Sequence, residues 1–297
     1  MDFKALKQLP PWARELLSAF AVVLVVFLLA WGYTGNWPPM VVIESGSMEH
    51  DSNQLYPEPG FTHIGPIDTG DLVLVKSAER DDIVTYLEGK QTGYKRYGDY
   101  GDVIIYYKNG VLGGCDMNMT SRFDFDISIT TEAECNQQDG EWIVATPVIH
   151  RAMAWVEVRD DGSYYLPEID MEFSNGKLVL AEIGLPPDAP LTGLDHSGYI
   201  TKGDSTGNRH PDQLTHQDLY GQHGMPDRRV QPVRPEDILG MARGELPWFG
   251  LIKLRVTQPD NYASAPEECR QMLWLSLATI IIGPFVAQRV WERRREG

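Results

Sequence analysis

The chain is poor in cysteine, short of cations and devoid of nucleotide-binding fingerprints, and each shortage narrows what it can do. Three cysteines in 297 residues leave room for one disulfide at most. Basic residues number 26 against 42 acidic ones, a net charge of -16. An acidic body of that kind repels phosphate backbones, so nucleic acid is not an expected partner. Neither a P-loop nor a GxGxxG stretch occurs, and no internal repeat is visible. His210, Asp212, His216, Asp218 and His223 crowd one segment, but their spacing fits no standard zinc pattern, so neither metal nor cofactor is expected. Long amphipathic helical patterns are also missing outside two apolar runs.

Those two runs organise the rest. Leu16–Tyr33 is apolar and uncharged, and as a helix it spans about 27 Å, close to the ~30 Å of a bilayer core. Met272–Ala287 is a second, shorter run interrupted by Gly283 and Pro284. Lys4, Lys7 and Arg14 precede the first; Arg289, Arg293, Arg294 and Arg295 follow the second. Positive flanks stay in the cytoplasm. The expected topology is therefore a multi-pass membrane protein with a cytoplasmic tail at 1–15, an anchor at 16–33, an extracytoplasmic domain at 34–271, a second span at 272–287 and a basic cytoplasmic tail at 288–297. Trp12 and Trp291 would sit at the inner face, and Trp31, Tyr33, Trp37 and Trp274 at the outer face. No A-x-A-like site follows the first run, so it is expected to be retained rather than cleaved.

The external region reads as β-rich. Asp71–Val75, Asp102–Tyr107, Trp142–His150, Trp155–Val158 and Leu251–Val256 are short, β-branched or alternating, and bounded by Gly, Asp or Pro. Asn109-Gly110 after a strand favours a hairpin. Segments near 113–140 and 160–197 read as insertions, and 207–237 as an irregular stretch. Cys115 and Cys135 both fall in the external region, where a disulfide is allowed, and Cys269 is the odd one out. Asn118-Met119-Thr120 is a glycosylation sequon within that loop.

The candidate chemistry starts at Ser45-Gly46-Ser47-Met48, just past the first anchor. A Ser-Gly-Ser triplet by itself is an ordinary turn. A nucleophilic serine needs a base, and His150, at the end of a predicted strand, can accept a proton at neutral pH, whereas the neighbouring Arg151 cannot. A base needs an orienting carboxylate, and Lys202-Gly203-Asp204 through Pro211-Asp212-Gln213 offers two. Taken singly, each of these residues has an ordinary structural explanation.

Taken in order, the segments resemble the archaeal and endoplasmic-reticulum branch of the signal peptidase I family. Ser45-Gly46-Ser47-Met48 after an anchor is similar to the nucleophile box, Gly70-Asp71-Leu72-Val73-Leu74-Val75 to the next strand box, and Val148-Ile149-His150-Arg151 to the base box. Histidine where the bacterial branch has lysine selects the Ser/His/Asp branch. The acidic box is matched by Lys202-Gly203-Asp204 to Pro211-Asp212-Gln213, and the closing segment by Ile238–Gly244 and Pro247–Ile252. The resemblance covers roughly 14–255. It implies a mostly β, signal-peptidase-like catalytic domain with one N-terminal and one C-terminal transmembrane helix. It implies a serine endopeptidase that removes signal peptides after small residues at the membrane surface, with preproteins, the lipid bilayer and the export machinery as partners. Ser47 would be the nucleophile and His150 the general base. Asp212 is favoured as orienter on the Pro-Asp-Gln match, with Asp204 auxiliary; their eight-residue spacing departs from the six expected. The Ser45 hydroxyl and the Ser47 backbone N–H would form the oxyanion hole. A catalytically silent tethered binding or assembly subunit, and a peptidase dedicated to one precursor class, are the competing readings.

Overall fold

A computed structural model of the chain describes residues 10–50, 60–79, 82–116, 131–215 and 230–296. The first apolar run is the helix Pro11–Thr34. Proline at its first position lacks only an N–H that would be unbonded anyway, and Gly35, at φ 69°, ends the helix by donating its N–H to the Trp31 carbonyl. The second run lies inside a longer helix, Glu267–Glu296, that continues through Pro284. Leu16, Phe20 and Leu29 on the first helix and Ile280, Ile282 and Phe285 on the second face outward. Both helices are long and apolar enough to cross a membrane.

Between them the chain forms a β-rich body. Its strands are β1 (Met40–Val42), β2 (Leu72–Lys76), β3 (Lys95–Arg96), β4 (Asp99–Tyr100), β5 (Val103–Tyr106), β6 (Gly113–Asp116), β7 (Glu141–Val144), β8 (Val148–Val158), β9 (Tyr164–Leu166), β10 (Met171–Phe173), β11 (Gly198–Lys202) and β12 (Ile238–Leu246). The main sheet runs β1-β2-β12-β5-β8-β9-β10, with β11 also paired to β8; β3-β4 and β6-β7 are separate ribbons. All the pairings are antiparallel. From Arg151 to Val156 β8 is buried at every position, so it reads as a continuous run rather than an alternating one. One apolar core gathers Ile43, Met48, Ile67, Val73 and Ile105, next to the start of the peptide that carries Ser47.

Several expectations are corrected. Leu251–Thr257 is a helix, not a strand; Leu251 and Leu254, three apart, are buried while Ile252 and Val256 are exposed, which is a helical and not an alternating pattern. Trp142–His150 is not one strand. It breaks around Pro147 into β7 and β8, so His150 stands near the start of an 11-residue strand that also contains Trp155. Asn109 and Gly110 do adopt positive φ, 52° and 68°, but they close no hairpin: β5 pairs with β12 and β8, and β6 with β7. The 160–197 segment, read as an insertion, is packed into the body. Its Leu166, Leu178, Ile183, Leu185 and Leu191 are buried with Ala154, Val156 and Ile200 in a core of their own. Of the 113–140 segment, the described residues 113–116 and 131–140 form β6 and a short helix Glu132–Gln137, β6 pairs with β7, and a Cys115–Cys135 disulfide joins the strand to the helix. Asn118 lies outside the described residues.

Candidate active site

The residues around Ser47 are held from three sides. After β1, Ile43 exchanges backbone hydrogen bonds with the 70–71 turn: its N–H donates to the Asp71 carbonyl and its carbonyl accepts from Gly70, both at 2.9 Å. A single 3-10 turn, Gly46–Met48, follows, and the buried Met48 side chain pins it to the core. The Glu49 carboxylate accepts from the Thr69 N–H (3.2 Å) and hydroxyl (2.6 Å). The Ser47 carbonyl accepts from the Ser205 N–H at 3.0 Å and from Asn208 Nδ2 at 2.9 Å. Ser45 is exposed, and its hydroxyl donates to Ser47 Oγ over a long 3.4 Å. One serine hydroxyl therefore faces the other at the surface, with the backbone beneath them fixed.

His150 is only 7% exposed and stands on β8 opposite Ile104 of β5. Its Nδ1 lies 2.6 Å from Asp212 Oδ2. That same oxygen accepts from Tyr106 Oη (2.6 Å) and Thr201 Oγ1 (2.7 Å). Neighbouring Gln213 accepts the Thr201 N–H, so the Pro-Asp-Gln turn is stitched to β11 by two consecutive side chains. Burial alone would raise the Asp212 carboxyl; the His150 charge and the hydrogen bonds from His150, Tyr106 and Thr201 instead hold it well below the usual carboxylate range. Burial, with the Asp212 charge, pushes the Tyr106 hydroxyl far up, so it stays a donor. A carboxylate with three donors keeps its charge and fixes the imidazole ring, directing Nδ1 toward Asp212.

The other ring nitrogen of His150 borders Gly203. A Cβ built on Gly203 would stand 3.0 Å from His150 Nε2, 2.4 Å from the Ser47 carbonyl and 2.2 Å from Asn208 Nδ2. Ser47 and His150, 103 positions apart in the chain, thus meet at one glycine. The absence of a side chain is what permits that approach. Gly203→Ala is expected to push the Ser47 turn and the imidazole apart. If the pair acts as proposed below, turnover should fall at least about 100-fold for a displacement near 1 Å, with a stability loss of about 1–3 kcal/mol. Turnover and melting temperature measured on the same preparation check this; unchanged turnover would mean that the approach at Gly203 is incidental.

Asp204 belongs to a different cluster. It does not serve as a turn cap accepting backbone N–H groups, as Gly-Asp turns suggest; its carboxylate is held by Arg151, through Nε at 2.9 Å and through Nη2, and by His50 Nε2 at 3.2 Å. Burial opposes its charge, but the Arg151 guanidinium and His50 outweigh that and bring the carboxyl down to about 2. Arg151 is 0% exposed, and its Nη1 also donates to the carbonyls of Arg96, Tyr100 and Gly101. Consecutive strand residues point to opposite faces, so the carboxylate on Arg151 is not the one on His150. Asp204 instead anchors the 203–208 loop that grips the Ser47 carbonyl. Tyr106, Thr201, Gly203, Ser205, Asn208 and His50 all enter this site, and sequence reading assigned none of them a role. A glycine beside a candidate acid was the one available signal.

The segment weighed and set aside as a metal site does not gather in the described part: His210 Nδ1 contacts the Gly184 carbonyl, Asp212 faces His150, and His216, Asp218 and His223 lie outside the described residues. In comparisons with known proteins, no family model, no curated protein and no solved structure matches the chain.

Proposed function

We propose that the chain is a membrane-anchored serine endopeptidase that removes signal peptides from exported preproteins. The observation that carries this reading is the Asp212–His150 pair at 2.6 Å, with the second imidazole nitrogen bordering the same glycine as the Ser47 turn. In this mechanism Ser47 Oγ attacks the scissile carbonyl as His150 Nε2 takes its proton. The imidazolium that forms is stabilised by Asp212, and it returns the proton to the leaving amine. Water then releases the acyl group by the same route. The Ser47 N–H and the Ser45 hydroxyl are the candidate donors to the oxyanion. Tyr106 and Thr201 position Asp212, and Ser205 and Asn208 position Ser47.

Location supports the substrate class. The end of the N-terminal helix is fastened to the sheet: the Thr34 carbonyl accepts from Ser77 at 2.7 Å, and Asn36 Nδ2 donates to the Val75 and Leu239 carbonyls. A site 13 residues past Thr34 on a body fastened in this way stays close to the helix end. With positive flanks holding both tails in the cytoplasm, the site would face the outer side of the membrane, where a signal peptide emerges.

The test uses the full-length protein in detergent with a panel of preproteins and a serine-acylating probe. One cut after a small residue at the signal-peptide junction, with the probe's mass on the Ser47 peptide, is expected. Cleavage elsewhere, or probe on another serine with Ser47 unmodified, would overturn the reading. A folded protein that neither cleaves nor acylates would identify a silent assembly subunit instead.

A further inference from the structure

A second cluster of reactive side chains lies outside the site described above. His63 Nδ1 stands 3.1 Å from Asp68 Oδ2, and one donor atom from each of His63, Asp68 and Cys269 lies within 4.8 Å of the other two. They come from two distant parts of the chain. His63 and Asp68 belong to the 60–71 loop that runs into β2, and Cys269 belongs to the first turn of the C-terminal helix. All are sheltered: the His63 side chain is 12% exposed, that of Asp68 2%, and Cys269 0%.

The cluster is more than an apolar thiol in a core. Cys269 packs with Trp248, Leu251, Leu254 and Leu273, which accounts for its burial, but not for an imidazole and a carboxylate beside its sulfur. Its thiol makes no hydrogen bond among the described residues, although polar donors and acceptors are at hand. The neighbourhood is also rich in carboxyl groups. Glu49 and Glu245 act on Asp68 from nearby, and Asp71 Oδ2 accepts the Asp68 N–H at 2.9 Å. One oxygen of Glu245, Oε2, is buried without a partner. Burial pushes the Asp68 carboxyl up to about 7 and that of Asp71 to about 8, so carboxyls in so sheltered a place either hold protons or share a cation.

We propose that His63, Asp68 and Cys269 form a binding site for one divalent metal ion of the zinc class, which ties the 60–71 loop to the first turn of the C-terminal helix. A sulfur, an imidazole nitrogen and a carboxylate oxygen are the donors that such an ion accepts together. Bonds of about 2.0–2.3 Å in a tetrahedron put ligand atoms about 3.3–3.8 Å apart, so the trio needs a contraction of about 1 Å at its widest. Binding displaces the thiol proton to solvent, and the fourth position falls to water or to Glu49. With Glu49, which also holds Thr69 beside the Ser47 turn, in the fourth position, the ion would brace that turn against the helix. This inference does not depend on the peptidase reading, and its test does not measure cleavage.

The experiment uses the full-length protein in detergent, purified without a histidine tag, stripped with EDTA and titrated with Co²⁺. One equivalent is expected to bind with a thiolate-to-cobalt charge-transfer band that Zn²⁺ abolishes by displacement. Cys269→Ser should lose the band. His63→Gln, a substitution at a partly exposed position that leaves the core intact, should weaken Zn²⁺ binding at least about 10-fold. In EDTA its melting temperature should match that of stripped wild type, while the rise on adding Zn²⁺ should shrink or vanish. Absence of a thiolate band in wild type, or an undiminished band in Cys269→Ser, would overturn the site, as would equal Zn²⁺ affinity in His63→Gln and wild type.

Discussion

Asp212→Asn is expected to fold normally and to lose about 10³–10⁴-fold in turnover. The carboxylate oxygen now accepts from His150, Tyr106 and Thr201. An asparagine is nearly the same shape, and the two hydroxyls can turn to accept as well as donate, so the local packing survives. With its NH₂ in the Oδ2 position, one N–H faces Nδ1 of His150, which must become an acceptor, and the imidazole proton moves to Nε2. That nitrogen borders the Ser47 turn across Gly203, and once protonated it cannot take a proton from a serine hydroxyl. The defect should therefore appear in kcat with a nearly unchanged melting temperature. Ser47→Ala and His150→Ala should each reduce cleavage to the residual level, and the pair together should cost little more than either alone, because nucleophile and base act as one unit. Additive losses, or normal turnover by folded Asp212→Asn protein, would sink the assignment.

Asp204→Ala is expected to destabilise the fold by about 3–5 kcal/mol, as removal of one partner of a buried ion pair does. Arg151 has no exposed surface, so its guanidinium would keep its carbonyl acceptors but lose its counter-ion. The loop that grips the Ser47 carbonyl through Ser205 and Asn208 would loosen with it. Lower stability and reduced turnover should appear together, unlike the Asp212→Asn pattern. The same carboxyl also predicts an acid transition. Because its folded pKa lies below the ordinary 3.8, at about 2, its contribution is complete above pH 3.8 and is lost as pH falls toward 2. Urea unfolding from neutral pH down through that window measures it. Wild type should lose part of its stability there, and the Asp204→Ala protein should show a smaller acid-dependent loss. A cost under about 1 kcal/mol for Asp204→Ala would mean that water or His50 replaces the carboxylate.

Some of this was legible from residues alone. The two apolar runs announce themselves because an uncharged stretch of bilayer length has few other uses, and β-branched, alternating segments between them signal a β-rich body. Ser47, His150 and the two aspartates stood out only through the resemblance of their segments, taken in order, to the signal peptidase I boxes. Short apolar runs were the weak point. Leu251–Val256 reads equally as strand or helix over six residues, and only packing against Trp248 and Cys269 decides for helix. The 160–197 segment read as an insertion because Pro, Gly and Asp punctuate it; the convergence of its scattered leucines with β8 and β11 exists only in three dimensions.

The division between sequence and structure is sharpest at the two aspartates. Chemistry along the chain determines that Asp204 and Asp212 are carboxylates in a turn-rich segment after a strand, and the proline before Asp212 fixes the chain direction so that its side chain can be aimed at a neighbouring segment. Which partner each meets depends on pairings between residues 50 or more positions apart: Asp212 with Tyr106 and His150, Asp204 with Arg151 and His50. Hydrogen-bond geometry and burial at such separations are set by how strands β5, β8 and β11 align. A local pattern carries no record of that alignment, because register is fixed by the packing of whole sheet faces against one another.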